Sequence, residues 1–300
     1  MTYDKTYKNL VNKNAHISWV PAPPSAEQVA KAKASVKPPS TTPVDFLGRF
    51  RLDGKVAVVT GAGRGLGYSM AEGLCSVGLK ALAIIDFAPD IGQESADRLG
   101  KVYGCQTKFY EGDVRDEKAV TAIFDDVVKQ FGHVDVVINS AGVADLYHAE
   151  DYPIDKFERV LDINVKGTFI VCQQAGKHMI ERGAGGAIVN IASMSGHIVN
   201  FPQPQCAYNA SKAAVYQLTR SLAVEWAPLG IRVNSISPGY MDTALNRAFE
   251  NMFDEWNQRT PVGRLGNVDE LTNAAIYLAS PAASYTTGTD IIIDGAYTCV

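Results

Sequence analysis

Short runs of continuously apolar, often β-branched residues recur along the chain from Leu52 onward, and longer amphipathic stretches separate them. Strands that are buried on both faces are apolar throughout instead of alternating with polar residues. The runs therefore predict strands at 56–59, 81–85, 106–110, 134–138, 187–191, 231–236 and 290–293. The stretches between them predict helices at 66–78, 90–101, 117–131, 154–182, 207–227 and 268–279. This alternation favours a single α/β domain, a seven-stranded parallel sheet with helices on both faces.

The first 45 residues differ from the rest of the chain in composition. They hold six of the fourteen prolines and six lysines against three acidic residues, a net of +3 in a chain of −4. We therefore predict an N-terminal extension over 1–48, partly flexible, followed by the α/β domain over 49–300. A surface-draped arm and an arm that contacts another subunit both remain possible interpretations of the extension.

The net charge and the cysteine content limit the classes of binding partner and the cellular compartment that we expect. A net charge of −4 and a pI near 5.8 argue against a nucleic-acid surface. No apolar run reaches the length of a membrane helix, and no signal-peptide core is present, so we expect a cytoplasmic protein that does not use a membrane. The five widely spaced cysteines predict reduced thiols, and no Cys/His cluster suggests a metal.

A glycine-rich loop, 60–67, connects the first predicted strand to the first predicted helix. Gly61 allows a tight turn, and Gly63 and Gly65 allow the backbone to approach a pyrophosphate. Gly67 allows the helix to pack closely on the sheet. The helix N-terminus adds unpaired N–H groups and the positive end of a dipole. The loop therefore predicts a dinucleotide-binding site.

Two residues bear on which dinucleotide binds. Asp86 ends the second strand about 20 residues after the loop, where a carboxylate bonds ribose hydroxyls and repels a 2′-phosphate. Arg64, inside the loop, is instead suited to a 2′-phosphate. We weight Asp86 more and expect NAD, with NADP as the alternative. Further along the chain, 113–114 and 139–142 follow the third and fourth strands, where the adenine and a ribose are expected.

A tyrosine and a lysine open the long predicted helix at 207–227. Tyr208 and Lys212 are four residues apart and so share a helix face. A phenol is a poor acid–base group at its ordinary pKa, and a neighbouring ammonium lowers that pKa toward working pH. Ser193, after the fifth strand, is able to place a hydroxyl beside the same point, and Asn164 lies in the helix before that strand. Tyr208 and Lys212 are therefore a candidate acid–base pair, with Ser193 as a candidate neighbour.

Together these residues resemble the motif set of the short-chain dehydrogenase/reductase family over about residues 52–297. The motifs are Gly61, Gly65, Gly67, Asn139-x-Ala141-Gly142, Asn164, Ser193, Tyr208-x-x-x-Lys212 and Pro238-Gly239. The resemblance implies a Rossmann-type fold, a homotetramer, and hydride transfer between a nicotinamide cofactor and an alcohol or carbonyl carbon of a small-molecule substrate.

The resemblance also implies a role for each motif residue. Tyr208 would be the general acid/base, and Lys212 would lower its pKa and bind the nicotinamide ribose. Ser193 would hydrogen-bond the substrate oxygen, and Asn164 would hold a proton-relay water. Ser195 lies at the family's more common distance from Tyr208, but Ser193 matches the Ser-x-x-Gly pattern and is preferred. The implied cofactor-binding residues are Gly61, Arg64, Gly65, Leu66, Gly67, Asp86, Asp113, Val114, Asn139, Ala141, Gly142, Tyr208, Lys212, Pro238, Gly239, Met241 and Thr243.

The loop 197–206 resembles that of a fungal branch of the family containing D-arabinitol and mannitol dehydrogenases and sorbose and carbonyl reductases. This implies an NAD(P)-dependent oxidoreductase that interconverts a secondary alcohol, such as the sugar alcohols arabinitol or mannitol, and its ketone. Binding a polyol needs convergent polar groups, and the loop supplies His197, Asn200, Gln203 and Gln205. An equally open interpretation is that these side chains only stabilise the shape of the loop and do not bind substrate.

The stretch 243–262 is relevant to the choice between a polyol and a bulkier, less polar substrate. Leu245, Phe249, Phe253 and Trp256 fall at helical spacing, which fits either a substrate lid or a plain packed helix. These apolar residues would also suit an NADPH-dependent carbonyl reductase of a bulky or secondary-metabolite ketone. A non-catalytic NAD-sensing regulator is the alternative of another class, and the intact set of catalytic residues argues against it.

Overall fold

The structure is a computed structural model that describes residues 44–247 and 249–300, with only the backbone of Leu245. The greater part of the predicted N-terminal extension, 1–43, lies outside the described residues. Phe46–Val300 form one compact unit. The division at residue 48 stays a prediction.

Seven parallel strands form one sheet, as the hydrophobic pattern predicts. They are β1 (Val56–Thr60), β2 (Ala81–Asp86), β3 (Gln106–Glu111), β4 (Val136–Asn139), β5 (Gly186–Ile191), β6 (Ile231–Pro238) and β7 (Asp290–Ile293). Their spatial order is β3-β2-β1-β4-β5-β6-β7, and every neighbouring pair is parallel. The order reverses between β1 and β4, so the loops at their carboxyl ends diverge and leave the crevice in which such sheets bind ligands. The predicted α/β fold is confirmed.

Helices lie between the strands. They are α1 (Gly65–Ser76), α2 (Pro89–Tyr103), α3 (Glu117–Phe131), α4 (Ile154–Leu161), α5 (Thr168–Arg182), α6 (Cys206–Trp226), α7 (Ala244–Arg247), α8 (Phe253–Arg259) and α9 (Thr272–Ala279). Short 3₁₀ turns occupy Gly48–Phe50, Ala149–Asp151, Met194–Gly196, Ala227–Leu229, Glu250–Met252, Val268–Leu271, Pro281–Ala283 and Tyr297–Cys299.

The greater part of the core forms one apolar layer on each face of the sheet, and a small third cluster holds Tyr152, Val160 and Ala207. Successive side chains of β1 alternate between the layers, because neighbouring residues of a strand point to opposite faces. Ala57 and Val59 join the layer formed with α1, α2 and α9. Val56 and Val58 join the layer formed with α3, α5 and α6. Burial on both faces explains why the strand sequence is continuously apolar.

The helix predicted over 154–182 is interrupted. A π-helical turn at Asp162–Gly167 separates α4 from α5. The hydroxyl of Thr168 donates to the carbonyl oxygen of Asn164 at 2.7 Å. Gly167 lets the turn approach Val114, since a Cβ there would lie 2.6 Å from a Val114 methyl. Such π turns are frequent at functional sites, and hydrophobic periodicity gives no sign of this one.

Among the helices between residues 44 and 300, Ala248 aside, none is long and apolar enough to cross a membrane. In the same part of the chain, His, Cys, Asp and Glu side chains form no group of three or more that could hold a metal ion.

Candidate active site

The glycine-rich loop after β1 has the close packing that the sequence predicts. Gly61 has a positive φ of 63°, and a Cβ on it would lie 2.8 Å from the Cα of Ala141. A Cβ on Gly67 would lie 2.2 Å from the carbonyl oxygen of Gly61. The Arg64 side chain does not cap α1, so the first N–H groups of the helix stay available to an anion. The loop thus fits the pyrophosphate of a dinucleotide.

Asp86 is hydrogen-bonded at the end of β2, next to this loop. Its carboxylate accepts from the N–H of Gly63 at 2.8 Å and from the N–H of Ala88 at 3.0 Å. The loop and the carboxylate therefore hold each other in place. A carboxylate at this point is able to accept hydrogen bonds from the two hydroxyl groups of a ribose, whereas it would repel a 2′-phosphate on that ribose.

Residues at the ends of β3 and β4 have partners within the protein. The Asp113 carboxylate binds the guanidinium of Arg115 at 2.5 to 3.0 Å, which lowers the pKa of the carboxyl group. The side chain of Asn139 faces the interior and donates to Asn190 at 2.8 Å and to the Cys172 sulfur at 3.2 Å. Its amide nitrogen is thus used within the protein, whereas its Oδ1 is buried without a hydrogen-bond partner in the described part of the chain.

Asn164 is buried in the π turn, and its amide bridges two segments. It accepts from the N–H of Val143 at 2.8 Å and donates to the carbonyl oxygen of Val143 at 2.9 Å. It also donates to the Ser211 hydroxyl of α6 at 2.9 Å. A Cβ on Gly142 would lie 3.3 Å from Asn164 Oδ1 and 3.6 Å from Lys212 Nζ. Both polar atoms therefore flank the same glycine.

Tyr208, Lys212, Ser193 and Ser195 all line one cavity, and the two serines differ in the partners of their hydroxyl groups. The Lys212 ammonium lies 5.6 Å from the centre of the Tyr208 ring and donates to the carbonyl oxygen of Ile191 at 2.7 Å. Ser193 lies beside Tyr208 in the same cavity and favours a lower pKa of the Tyr208 hydroxyl, and the Ser193 hydroxyl accepts from the N–H of Ser195 at 3.1 Å. The Ser195 hydroxyl instead accepts a weak bond from a loop glutamine.

The direction of the Tyr208 pKa shift differs from the sequence prediction. Burial raises the pKa of Tyr208, and the hydrogen bond with Ser193 opposes that rise. Burial also lowers the pKa of Lys212, from 10.5 to about 8. The cause is desolvation, which disfavours the charged form of each group.

One cavity gathers most of the predicted catalytic residues and the predicted substrate loop. Its predicted lining residues are Leu66, Gly142, Ser193, Asn200, Gln203, Gln205, Tyr208, Lys212, Pro238, Gly239, Met241, Thr243 and Phe249. Sequence reasoning missed Val143, Ala144, Leu146, Met194 and Asn246, which also line it. Val143 carried one available signal, since it follows the strand-end motif 139–142 directly.

Amide side chains form one wall of this cavity. Gln205 donates to Asn200 at 2.9 Å and to Asn209 at 3.0 Å, and the Tyr240 hydroxyl donates to Gln203. Asn200 in turn donates to the Tyr240 oxygen at 3.2 Å. The network therefore fixes the loop and presents amide groups to the cavity.

His197 lies outside this cavity, unlike the other polar residues of the loop. Its Nε2 lies 2.9 Å from the Asp290 carboxylate and 3.2 Å from the Ser237 hydroxyl, and its ring packs on Tyr216. These partners belong to β6, β7 and α6, so His197 helps to anchor the loop. These contacts favour the interpretation in which His197 shapes the loop.

The predicted lid stretch consists of α7, a 3₁₀ turn and α8. Trp256 of α8 is buried and stacks on Tyr240 with ring centres 4.2 Å apart. Phe249 lines the cavity, whereas the Leu245 side chain lies outside the described part. The stretch therefore covers the cavity, and its mobility stays a prediction.

The comparisons with known proteins agree with this geometry. A family model described as enoyl-(acyl carrier protein) reductase matches residues 61–298. Galactitol 2-dehydrogenase (L-tagatose-forming) of Cereibacter sphaeroides is 42% identical over 85% of this chain and 99% of its own length. A probable NADP-dependent mannitol dehydrogenase of Yarrowia lipolytica is 39% identical over 87% of this chain and 95% of its own length. The crystal structure of a short-chain type dehydrogenase/reductase from Mycobacterium marinum superposes with a TM-score of 0.83 at 40% identity, covering 85% of this chain and 100% of that one.

The chain belongs to the short-chain dehydrogenase/reductase family. The predicted family and activity class are confirmed: it is an NAD(P)-dependent oxidoreductase of small molecules. The Yarrowia relative is named for NADP, so the comparisons do not support the expected preference for NAD.

Proposed function

We propose that this dehydrogenase interconverts a secondary hydroxyl of an open-chain sugar alcohol and the corresponding ketone. The supporting observation is that Asn200, Gln203 and Gln205 line the same cavity as Tyr208 and Lys212. A polyol carries a hydroxyl on each carbon, and an amide offers both a donor and an acceptor to such groups. The relatives named for galactitol and mannitol agree with this substrate class.

In this proposal Tyr208 is the general acid/base. Its hydroxyl oxygen takes the alcohol proton during oxidation and returns it to the carbonyl oxygen during reduction. Ser193 hydrogen-bonds the same substrate oxygen, because it already contacts Tyr208. The Lys212 ammonium stabilises the phenolate form of Tyr208 in the buried site. When bound, the nicotinamide cofactor accepts or supplies the hydride.

Asn164 is proposed to hold a proton-relay water. Its side-chain oxygen and the Lys212 nitrogen both flank Gly142, so a water between them would connect the ammonium to Asn164. The bonds of Asn164 to Val143 and Ser211 fix its position.

The remaining predicted residues are proposed to hold the cofactor. Gly61, Gly65 and Gly67 with the start of α1 would take the pyrophosphate, and Asp86 the adenine ribose. We propose NAD as the preferred cofactor because a 2′-phosphate would meet the Asp86 carboxylate, which two N–H groups hold in place. The further cofactor contacts proposed are Arg64, Leu66, Asp113, Val114, Asn139, Ala141, Gly142, Pro238, Gly239, Met241 and Thr243.

A second candidate is the reduction of a bulky ketone with NADPH. It is favoured by the apolar side chains that line the cavity beside the amides, namely Val143, Leu146, Met194 and Phe249. An aryl or alicyclic ketone would gain more from these contacts than a polyol would.

The assembly and location are also proposals. We propose a homotetramer in the cytoplasm, with the N-terminal extension 1–48 outside the catalytic domain. Light scattering coupled to size-exclusion chromatography would give four chains per particle, and a monomer would contradict this.

A substrate panel with both cofactors tests the function. We expect NAD-dependent oxidation of D-arabinitol, D-mannitol or galactitol to exceed, in kcat/KM, the NADPH-dependent reduction of aryl and alicyclic ketones. The opposite ranking would favour the second candidate. Dinucleotide binding without turnover on either class would contradict both.

A further inference from the structure

Two cysteines that are 30 positions apart in sequence lie in contact inside the domain. Cys75 is in the last turn of α1, and Cys105 lies between the end of α2 and the start of β3. Their sulfur atoms are 3.2 Å apart and hydrogen-bonded. Both belong to the apolar layer formed with α1, α2 and α9, with Cys75 3% exposed and Cys105 8% exposed. Neither thiol belongs to the proposed catalytic site.

The other three cysteines have different surroundings. Cys172 is fully buried beside Asn139 and Asn190, and burial raises the pKa of its thiol to about 12. Cys206 and Cys299 are exposed. The Cys75–Cys105 contact is thus the one sulfur–sulfur hydrogen bond found within residues 44–300.

The two sulfurs of this contact are not equivalent. The thiol of Cys75 hydrogen-bonds to Cys105 and lowers the pKa of Cys105, and a main-chain hydrogen bond at Cys105 adds to this. That shared hydrogen bond, burial and the neighbouring Glu72 carboxylate raise the pKa of Cys75. Cys105 is the thiol proposed to react first. It is also the more exposed of the two.

We propose that Cys75 and Cys105 are an oxidisable dithiol that closes to an internal disulfide when the protein meets hydrogen peroxide. The Cys105 thiolate attacks one peroxide oxygen, so that an S–O bond forms, the O–O bond breaks and the departing hydroxide takes up a proton to become water. The Cys75 sulfur then attacks the Cys105 sulfur. The S–S bond forms as the S–O bond breaks, and hydroxide leaves with the Cys75 proton as a second water. The two thiols together lose two electrons, which reduce the peroxide.

Thiol–disulfide exchange with a small thiol reverses the modification. A reversible disulfide of this kind is compatible with a reducing compartment, where structural disulfides are rare but redox-responsive ones occur.

The disulfide would connect the helix that begins at the phosphate loop to the first residues before β3. The sulfur atoms would have to approach from 3.2 Å to about 2.05 Å, a small movement for a helix end and a connecting loop. The enclosed segment contains β2 with Asp86. Closing a loop of this length restricts the unfolded chain, so the oxidised protein should melt several degrees higher than the reduced one.

Tryptic peptide mapping tests this on the wild-type protein, since each of the five cysteines falls in a separate peptide. The folded protein is treated with hydrogen peroxide, alkylated under denaturing conditions and digested without reductant. We expect peptide 65–80 linked to peptide 102–108, while Cys172 in peptide 167–177 is recovered alkylated. Recovery of Cys75 and Cys105 as alkylated thiols, or of Cys105 as sulfinic acid without the link, would overturn the proposal.

The melting temperature gives a second readout. We expect it to rise by several degrees after peroxide and to return after dithiothreitol. Cys75→Ser should lose both the linked peptide and this rise, whereas the matched control Cys299→Ser should keep both. A linked protein whose melting temperature is unchanged or lower would overturn the stabilising role.

Discussion

The ammonium of Lys212 lies 5.6 Å from the centre of the Tyr208 ring, one helical turn along α6. Burial acts on both groups, raising the pKa of Tyr208 and lowering that of Lys212 to about 8. Each group is thereby pushed toward its neutral form. Burying the charged form of Lys212 therefore costs folding stability near neutral pH.

Lys212→Met should make the protein more stable and inactive. The lowered folded-state pKa means that the ammonium is disfavoured by about 3 kcal/mol relative to the unfolded chain. Methionine removes this cost, although it leaves the Ile191 carbonyl oxygen without its donor. We expect a melting temperature a few degrees higher at about pH 7, measured by differential scanning calorimetry.

The pH dependence of that gain provides the control. The destabilisation by Lys212 is fully present below pH about 8 and is relieved as pH rises toward 10.5, where the unfolded lysine also loses its proton. The gain of Lys212→Met should therefore shrink between these pH values. A gain that stays constant across this range, or a lower melting temperature at neutral pH, would contradict the assignment.

Replacing each serine separately tests which one serves the reaction. Ser193 contacts Tyr208, whereas the Ser195 hydroxyl accepts from Gln205 at 3.4 Å. Ser193→Ala should lower kcat about 100-fold, the scale on which loss of a donor to the reacting oxygen acts. Ser195→Ala is the matched control and should change kcat by less than about threefold. Reversed effects in steady-state kinetics would assign the role to Ser195, and equal effects would contradict an assignment to Ser193 alone.

Asp86→Ser should shift the cofactor preference toward NADP. The substitution removes the carboxylate that would repel a 2′-phosphate, while a serine hydroxyl still bonds a ribose or phosphate oxygen. We expect the ratio of kcat/KM for NADP to that for NAD to rise at least tenfold, about 1.4 kcal/mol. Asp90→Asn, in the first turn of α2, is the control. An unchanged ratio would show that Asp86 does not set the preference and would leave Arg64 as the next residue to replace.

Tyr240→Phe should weaken substrate binding more than turnover. The Tyr240 hydroxyl bonds Gln203 and Asn200, and its ring stacks on Trp256. Phenylalanine keeps the ring stack on Trp256 and loses the hydrogen bonds with Gln203 and Asn200, so the amide side chains of the cavity wall are held less firmly. We expect KM for a polyol to rise roughly fivefold, about 1 kcal/mol, with kcat within twofold. Tyr216→Phe, beside His197 and outside the cavity, should leave both constants unchanged, and an unchanged KM for Tyr240→Phe would contradict the role of the amide wall.

Periodicity and glycine spacing were sufficient to predict the sheet and the phosphate loop. Strands such as β1 are buried on both faces, so their composition reflects their position directly. The requirement for glycine at Gly61 and Gly67 is steric and local. Such features depend on residues that are close in sequence, so they are predictable from the sequence alone.

Features that depend on distant contacts were not predictable. Asn164, in the π turn, hydrogen-bonds to Val143 and Ser211, which lie on other segments of the chain. His197 resembles its loop neighbours in sequence, but contacts with Asp290 turn it away from the cavity. The raised pKa of Tyr208 likewise depends on burial by the whole fold, whereas helical spacing alone indicates only that Lys212 is near.

The most direct test of the central claim is the turnover of Tyr208→Phe on the best sugar alcohol of the panel, followed by the absorbance of the reduced nicotinamide. The account predicts a loss of about 1,000-fold or more in kcat with little change in dinucleotide affinity, because only the proton-transferring oxygen is removed. Binding is measured separately by calorimetry. Turnover within tenfold of the wild-type protein would contradict Tyr208 as the general acid/base.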